Sequence, residues 1–208
     1  MPELFCYAFA EDALSCKVMV KIVDYCNANS RTVPLRFYPG FPENKGGCNN
    51  LKKMIPRICN MAKADLCGFV LTDLDVAECA PELIRNWFNL NDQKPTIPDK
   101  FLFRIAEREV ESWLMADKEG LAAYLSIAVD NFSDSPDSLS DPKQCLLNII
   151  RLKGRKRYHR DMLPRNIANV GIEYNYRLSK FVNERWNVAT AASNSESLRR
   201  AIAAINRF

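Results

Sequence analysis

The chain has 208 residues, 48% apolar and 26% charged, enough for one large domain or a domain with an appended piece. No apolar run approaches the ~18 to 20 residues that a membrane span requires, and Met1-Pro2-Glu3 lacks the basic start of a secretory leader, so the sequence predicts a soluble, cytoplasmic protein. The net charge of +4 conceals an imbalance: 15 Lys and Arg against 21 Asp and Glu up to Pro142 (−6), then 14 against 4 from Lys143 onwards (+10).

Leu4 to Ala10 reads as a first strand, closed by Glu11 and Asp12. Leu14, Val18, Ile22 and Tyr25 then recur at helical spacing until Asn27 to Ser30 breaks the pattern. Val33 to Tyr38 is a second strand, followed by a Pro- and Gly-rich stretch, Pro39 to Gly47, predicted to lack regular structure. Asn50 to Ala64 is helical, although Pro56 should kink it or move its start downstream. Leu66 to Leu71 is a short apolar run that reads as a buried central strand.

Asp73 and Asp75 stand at the carboxyl end of that run, the edge where an open parallel sheet collects ligands. If the chain stays extended, a spacing of two points both carboxylates the same way, so that they could share a hard cation such as Mg²⁺. The alternative is that they cap the next helix, expected from Pro81 to Phe88. A polar loop from Asn89 to Asp99 leads to a fourth strand, Phe101 to Ala106. This alternation predicts an α/β fold, a mostly parallel sheet flanked by helices.

Glu109 and Glu111 follow the fourth strand, at the entry to a buried helical face marked by Val110, Trp113, Leu114, Leu121, Tyr124 and Leu125. Asp117 falls on that apolar face and is expected to accept hydrogen bonds from a neighbouring loop. The polar stretch after residue 128 suggests a boundary, with a first domain over 1–128 and a basic helical region over 141–208. In the latter, Lys143 to Leu152 is helical, and Arg151, Lys153, Arg155, Lys156, Arg157 and Arg160, interleaved with Tyr158 and His159, form a candidate nucleic-acid-binding segment. Two further helical patterns, around Leu178 to Val182 and Leu198 to Ile205, complete the chain. The eight cysteines include no Cys-x-x-Cys pair and His159 is the single histidine, which argues against zinc and for small apolar core thiols in a reducing compartment.

Acidic residues in this order, Glu11, the Asp73-x-Asp75 pair, then Glu109 and Glu111, resemble the Toprim domain of topoisomerases, primases and OLD (overcoming-lysogenization-defect) nucleases. The stretch from Arg104 through Glu109, Glu111 and Trp113 to Asp117, with Asp141-Pro142-Lys143 and Lys156 to Pro164 downstream, resembles the Toprim-like DUF4276 family of bacterial proteins. Where Toprim members commonly have glycine after the first glutamate, this chain has Asp12.

The resemblance implies a Mg²⁺- or Mn²⁺-dependent nuclease acting on DNA or RNA in antiphage defence, with an ATPase partner of the ABC or SMC type. It implies one or two ions held by Glu11, Asp73, Asp75, Glu109 and Glu111, with Glu11, Glu109 or Glu111 as general base and Lys143 stabilising transition-state charge. Two readings from other classes stand beside it: a catalytically silent binding subunit of an ATPase complex, and a haloacid-dehalogenase-like phosphatase with Asp73 as nucleophile and Asp75 as acid. The latter motif usually follows the first strand rather than the third.

Overall fold

A computed structural model describes residues 3–89, 97–165 and 167–208. The chain divides into two compact units, one formed by 1–106 with 200–208 and the other by 107–199.

The first unit is built on five strands, β1 (Leu4–Ala10), β2 (Leu35–Phe37), β3 (Glu43–Asn44), β4 (Cys67–Asp73) and β5 (Phe101–Ala106). Every pairing is parallel, in the order β2-β1-β4-β5. β2 pairs with the start of β1, and β3 with its last two residues, Phe9 and Ala10. The sheet thus confirms the predicted α/β architecture and adds β3, a two-residue strand inside the stretch expected to be irregular. Two residues are too few to display a period.

Three helices connect the strands: α1 (Ala13–Asn29), α2 (Cys48–Lys63) and α3 (Ala80–Trp87). The step from β1 to β2 runs one way along the sheet, whereas those from β2 to β4 and from β4 to β5 run the other. Since parallel crossovers are right-handed, α1 covers one face and α2 and α3 cover the opposite one. Packing agrees: Leu51, Ile55 and Ile58 of α2 and Leu83 and Trp87 of α3 form one cluster with Phe9, Val70, Phe101 and Phe103 of the sheet. β4 is buried along its whole length, as a central strand covered on both faces must be.

Gly68 of β4 lets α2 approach closely, because a Cβ there would stand 2.5 Å from Ile58 Cγ2. Pro56 lies inside α2, and the helix nevertheless begins at Cys48, so its start is not displaced downstream. The loop predicted over Asn89–Asp99 falls in part outside the described residues.

The second unit is helical. It contains α4 (Val110–Met115), α5 (Lys118–Leu125), α6 (Pro142–Lys153), α7 (Arg157–Met162), α8 (Tyr174–Glu184), α9 (Val188–Asn194) and the first residues of α10 (Glu196–Arg207). The division after Ala106 differs from the boundary expected beyond residue 128, because α4 and α5 are bonded to the helices that follow them. Trp113 Nε1 donates to Ser197 Oγ at 2.6 Å, and Trp186 Nε1 donates to the Trp113 carbonyl at 3.3 Å.

The apolar pattern from Val110 to Leu125 belongs to two helices rather than one, and Asp117 stands at the break. Its carboxylate accepts the Asn187 N–H at 2.8 Å and the Gly120 N–H at 3.3 Å, as expected for a buried acid served by a neighbouring loop. Among the described residues, no helix is long and apolar enough to cross a membrane.

Candidate metal centre

The helices change faces at β1 and β4. At such a switch point the carboxyl ends of two adjacent strands open a crevice, because the connections leaving them diverge. Glu11 follows β1, and Asp73 is the last residue of β4.

Glu11 is held across this gap. Its Oε1 accepts the Asp73 N–H at 3.0 Å and also the Thr72 hydroxyl, while its own carbonyl accepts the Gly47 N–H at 2.8 Å. Burial pushes the Glu11 carboxyl above the usual carboxylate range; the bonds from Thr72 and Asp73 oppose that rise, and the charges of Asp75 and Asp12 add to it. Asp12, in the place where the resembling family commonly has glycine, caps α1 by accepting the Ser15 N–H at 2.7 Å.

Ligand atoms of Glu11, Cys48 and Asp75 all lie within 4.8 Å of one another, the single such group of His, Cys, Asp or Glu among the described residues. Asp73 is not a member. Asp75 has φ +51°, in the left-handed region, so the chain is not extended beyond Asp73 and the two side chains do not follow the alternation of a strand. Asp75 is exposed and Asp73 is buried, with 8% of its surface accessible.

Cys48 is the member that sequence reasoning missed, being grouped with the core thiols. It is the first residue of α2, delivered by the turn at Gly46 and Gly47, whose φ values of +70° and +115° favour glycine. Burial, followed by the charges of Glu11 and Asp75, raises its thiol pKa.

The donor set of two carboxylates and a thiol has a definite chemistry. A hard cation such as Mg²⁺ or Mn²⁺ would draw on the oxygens of Glu11 and Asp75 and not on a protonated thiol. A softer ion would also recruit the Cys48 thiolate. The residues therefore fit a divalent cation, with Glu11 and Asp75 as the common ligands.

Glu109, Glu111 and Lys143 lie together in the second unit. Glu109 accepts from Lys143 twice, at 2.7 Å from the backbone N–H and 2.8 Å from Nζ. Glu111, 1% exposed, accepts the Tyr174 hydroxyl at 3.1 Å and has Lys143 Nζ at 3.7 Å. One ammonium, that of Lys143, thus faces both carboxylates that the resemblance assigned to metal.

In the basic segment Arg151, Lys153, Arg155, Lys156, Arg157 and Arg160 are exposed. His159 is not available for stacking: it is 1% exposed, its Nδ1 accepts the Lys156 N–H at 3.0 Å, and its Nε2 lies 2.9 Å from the Leu125 carbonyl. Tyr158 is half-buried, with the Arg177 guanidinium 4.6 Å from its ring centre.

No family model, curated protein or solved structure matches this chain.

Proposed function

We propose that the first unit is a divalent-metal-dependent phosphodiester hydrolase acting on nucleic acid, in line with the Toprim resemblance. The observation that carries this reading is the convergence of Glu11, Cys48 and Asp75 at the switch point of a parallel sheet. A bound divalent cation there would polarise a phosphoryl oxygen and lower the pKa of coordinated water.

The protein's own contribution is positional. Glu11 is fixed by the Asp73 N–H and the Thr72 hydroxyl, so its carboxylate needs little reorganisation to meet a cation. Thr72 and Asp73 thus act through Glu11. The exposed cations from Arg151 to Arg160 favour a polyanionic substrate by phosphate neutralisation, which carries no sequence preference. With Glu109 hydrogen-bonded and Glu111 ion-paired to Lys143, the metal ligands of this reading come from the first unit alone.

The test is cleavage of labelled DNA and RNA in Mg²⁺ or Mn²⁺, with and without chelator. Activity should be absent in EDTA and lost in Glu11→Gln and in Asp75→Asn, with circular dichroism unchanged. Cleavage that persists in chelator, or survives both substitutions, would rule the reading out.

A further inference from the structure

The second unit holds a cavity that the proposed hydrolase centre does not use. Its volume is about 630 Å³, within the range of small-molecule sites, and α5, α7 and α8 wall it. Arg177, Lys180 and Arg185 line it against a single carboxylate, Glu184, beside the rings of Tyr124 and Tyr158.

These groups divide into fixed and uncommitted ones. The Tyr124 hydroxyl donates to the Arg177 carbonyl at 3.0 Å, and that of Tyr158 to the Leu125 carbonyl at 3.3 Å, which sets both rings. Arg177 is paired with Glu173 at 3.1 Å and lies over the Tyr158 ring at 4.6 Å. A guanidinium held over an aromatic ring is itself a flat platform for a base. Lys180 meets Glu184 only at 4.0 Å, and the exposed Arg185 guanidinium makes no hydrogen bond or ion pair among the described residues. Two cations are therefore left to receive an anion beside pre-set planar surfaces.

We propose that this cavity binds a nucleoside monophosphate unit, its base against Tyr124 and the Arg177–Tyr158 pair, its phosphate on Lys180 and Arg185. The unit is either a free nucleotide or the phosphorylated end of an oligonucleotide. The proposal does not depend on the hydrolase reading, because it requires no metal.

Titration calorimetry on the full chain in EDTA tests it, with AMP, ribose 5-phosphate, inorganic phosphate, and a short oligonucleotide bearing either a 5′-phosphate or a 5′-hydroxyl. AMP or the 5′-phosphorylated oligonucleotide should bind at least tenfold more tightly than ribose 5-phosphate and inorganic phosphate. The Lys180→Gln/Arg185→Gln variant, altered only at surface side chains, should lose at least tenfold in that affinity. Preference for AMP identifies a free nucleotide as the ligand; preference for the oligonucleotide, with discrimination against its 5′-hydroxyl form, identifies a nucleic-acid end. The proposal is overturned if neither binds, if inorganic phosphate or ribose 5-phosphate binds as well, or if the double variant binds unchanged.

Discussion

The backbone N–H of Asp73 donates to Glu11 Oε1 at 3.0 Å, joining the carboxyl ends of two neighbouring parallel strands through the side chain of one and the main chain of the other. Asp73 therefore serves the candidate centre through its peptide group, a contribution that does not depend on its carboxylate. Substituting Asp73 and substituting Asp75 should have different consequences.

Metal titrations will separate the donors. Glu11→Gln and Asp75→Asn should each weaken Mn²⁺ binding at least tenfold, because each removes an anionic ligand from the convergent group. Cys48→Ser should leave Mn²⁺ affinity within about threefold and reduce Cd²⁺ affinity at least tenfold, since the thiolate matters only to the softer ion. Equal losses for both ions in Cys48→Ser would contradict the assignment of Glu11 and Asp75 as the shared ligands.

Lys143→Met should destabilise the protein by about 2 to 3 kcal/mol in urea denaturation, below the ~3 to 5 kcal/mol of a fully buried pair, because the lysine side chain is 31% exposed. The loss arises because Glu109 and the buried Glu111 would lose the ammonium that faces both carboxylates. Adding Glu111→Gln should recover part of it, since a neutral amide needs no ammonium. A stability unchanged by Lys143→Met would mean that the lysine is kept for something other than this pairing.

How far these features were legible in the sequence depended on their range. β1, β4 and β5 declare themselves because buried strands must be apolar, and α1 because Leu14, Val18 and Ile22 share one face. Asp75 was a candidate from its strand end and Glu11 from the Toprim resemblance, and the pairing of β1 with β4 brings the two positions together. What escaped were relationships that no local period encodes. Cys48 reaches the centre through a turn of two positive-φ glycines, and the bond from Lys143 to Glu109 spans 34 residues. The period-two argument for Asp73 and Asp75 assumed extended chain, and the left-handed backbone at Asp75 departs from it.

Acid should weaken the second unit through His159. Burial is the main cause that holds its pKa below the ordinary 6.5; the Lys156 and Arg177 charges act in the same direction, and the bond to the Leu125 carbonyl opposes them. Below about pH 6.5 the unfolded chain therefore binds more protons than the folded one, so stability falls as pH drops from that value to the lowered folded pKa. Protonation at Nδ1 would also set an N–H against the Lys156 N–H that now donates to it. Urea midpoints at pH 7.5 and pH 5.0 should fall more steeply in the natural chain than in His159→Gln, and parallel slopes would show that another group governs the acid response.

The exposed basic segment makes a separate prediction about binding. Replacing Arg155, Lys156 and Arg157 by Gln should weaken nucleic-acid binding alike for all sequences, because contacts to phosphate carry no base information. If all three side chains neutralise phosphates of a single strand, the slope of log affinity against log salt should drop by about 2, at ~0.7 per contact. Metal affinity at Glu11 and Asp75 should be unchanged. Since His159 is buried and Tyr158 bears the Arg177 guanidinium, stacking by these two rings should contribute little to the affinity that remains. An unaltered salt slope would show that the segment does not track the substrate backbone, and would turn attention to an acidic protein surface as what these cations meet.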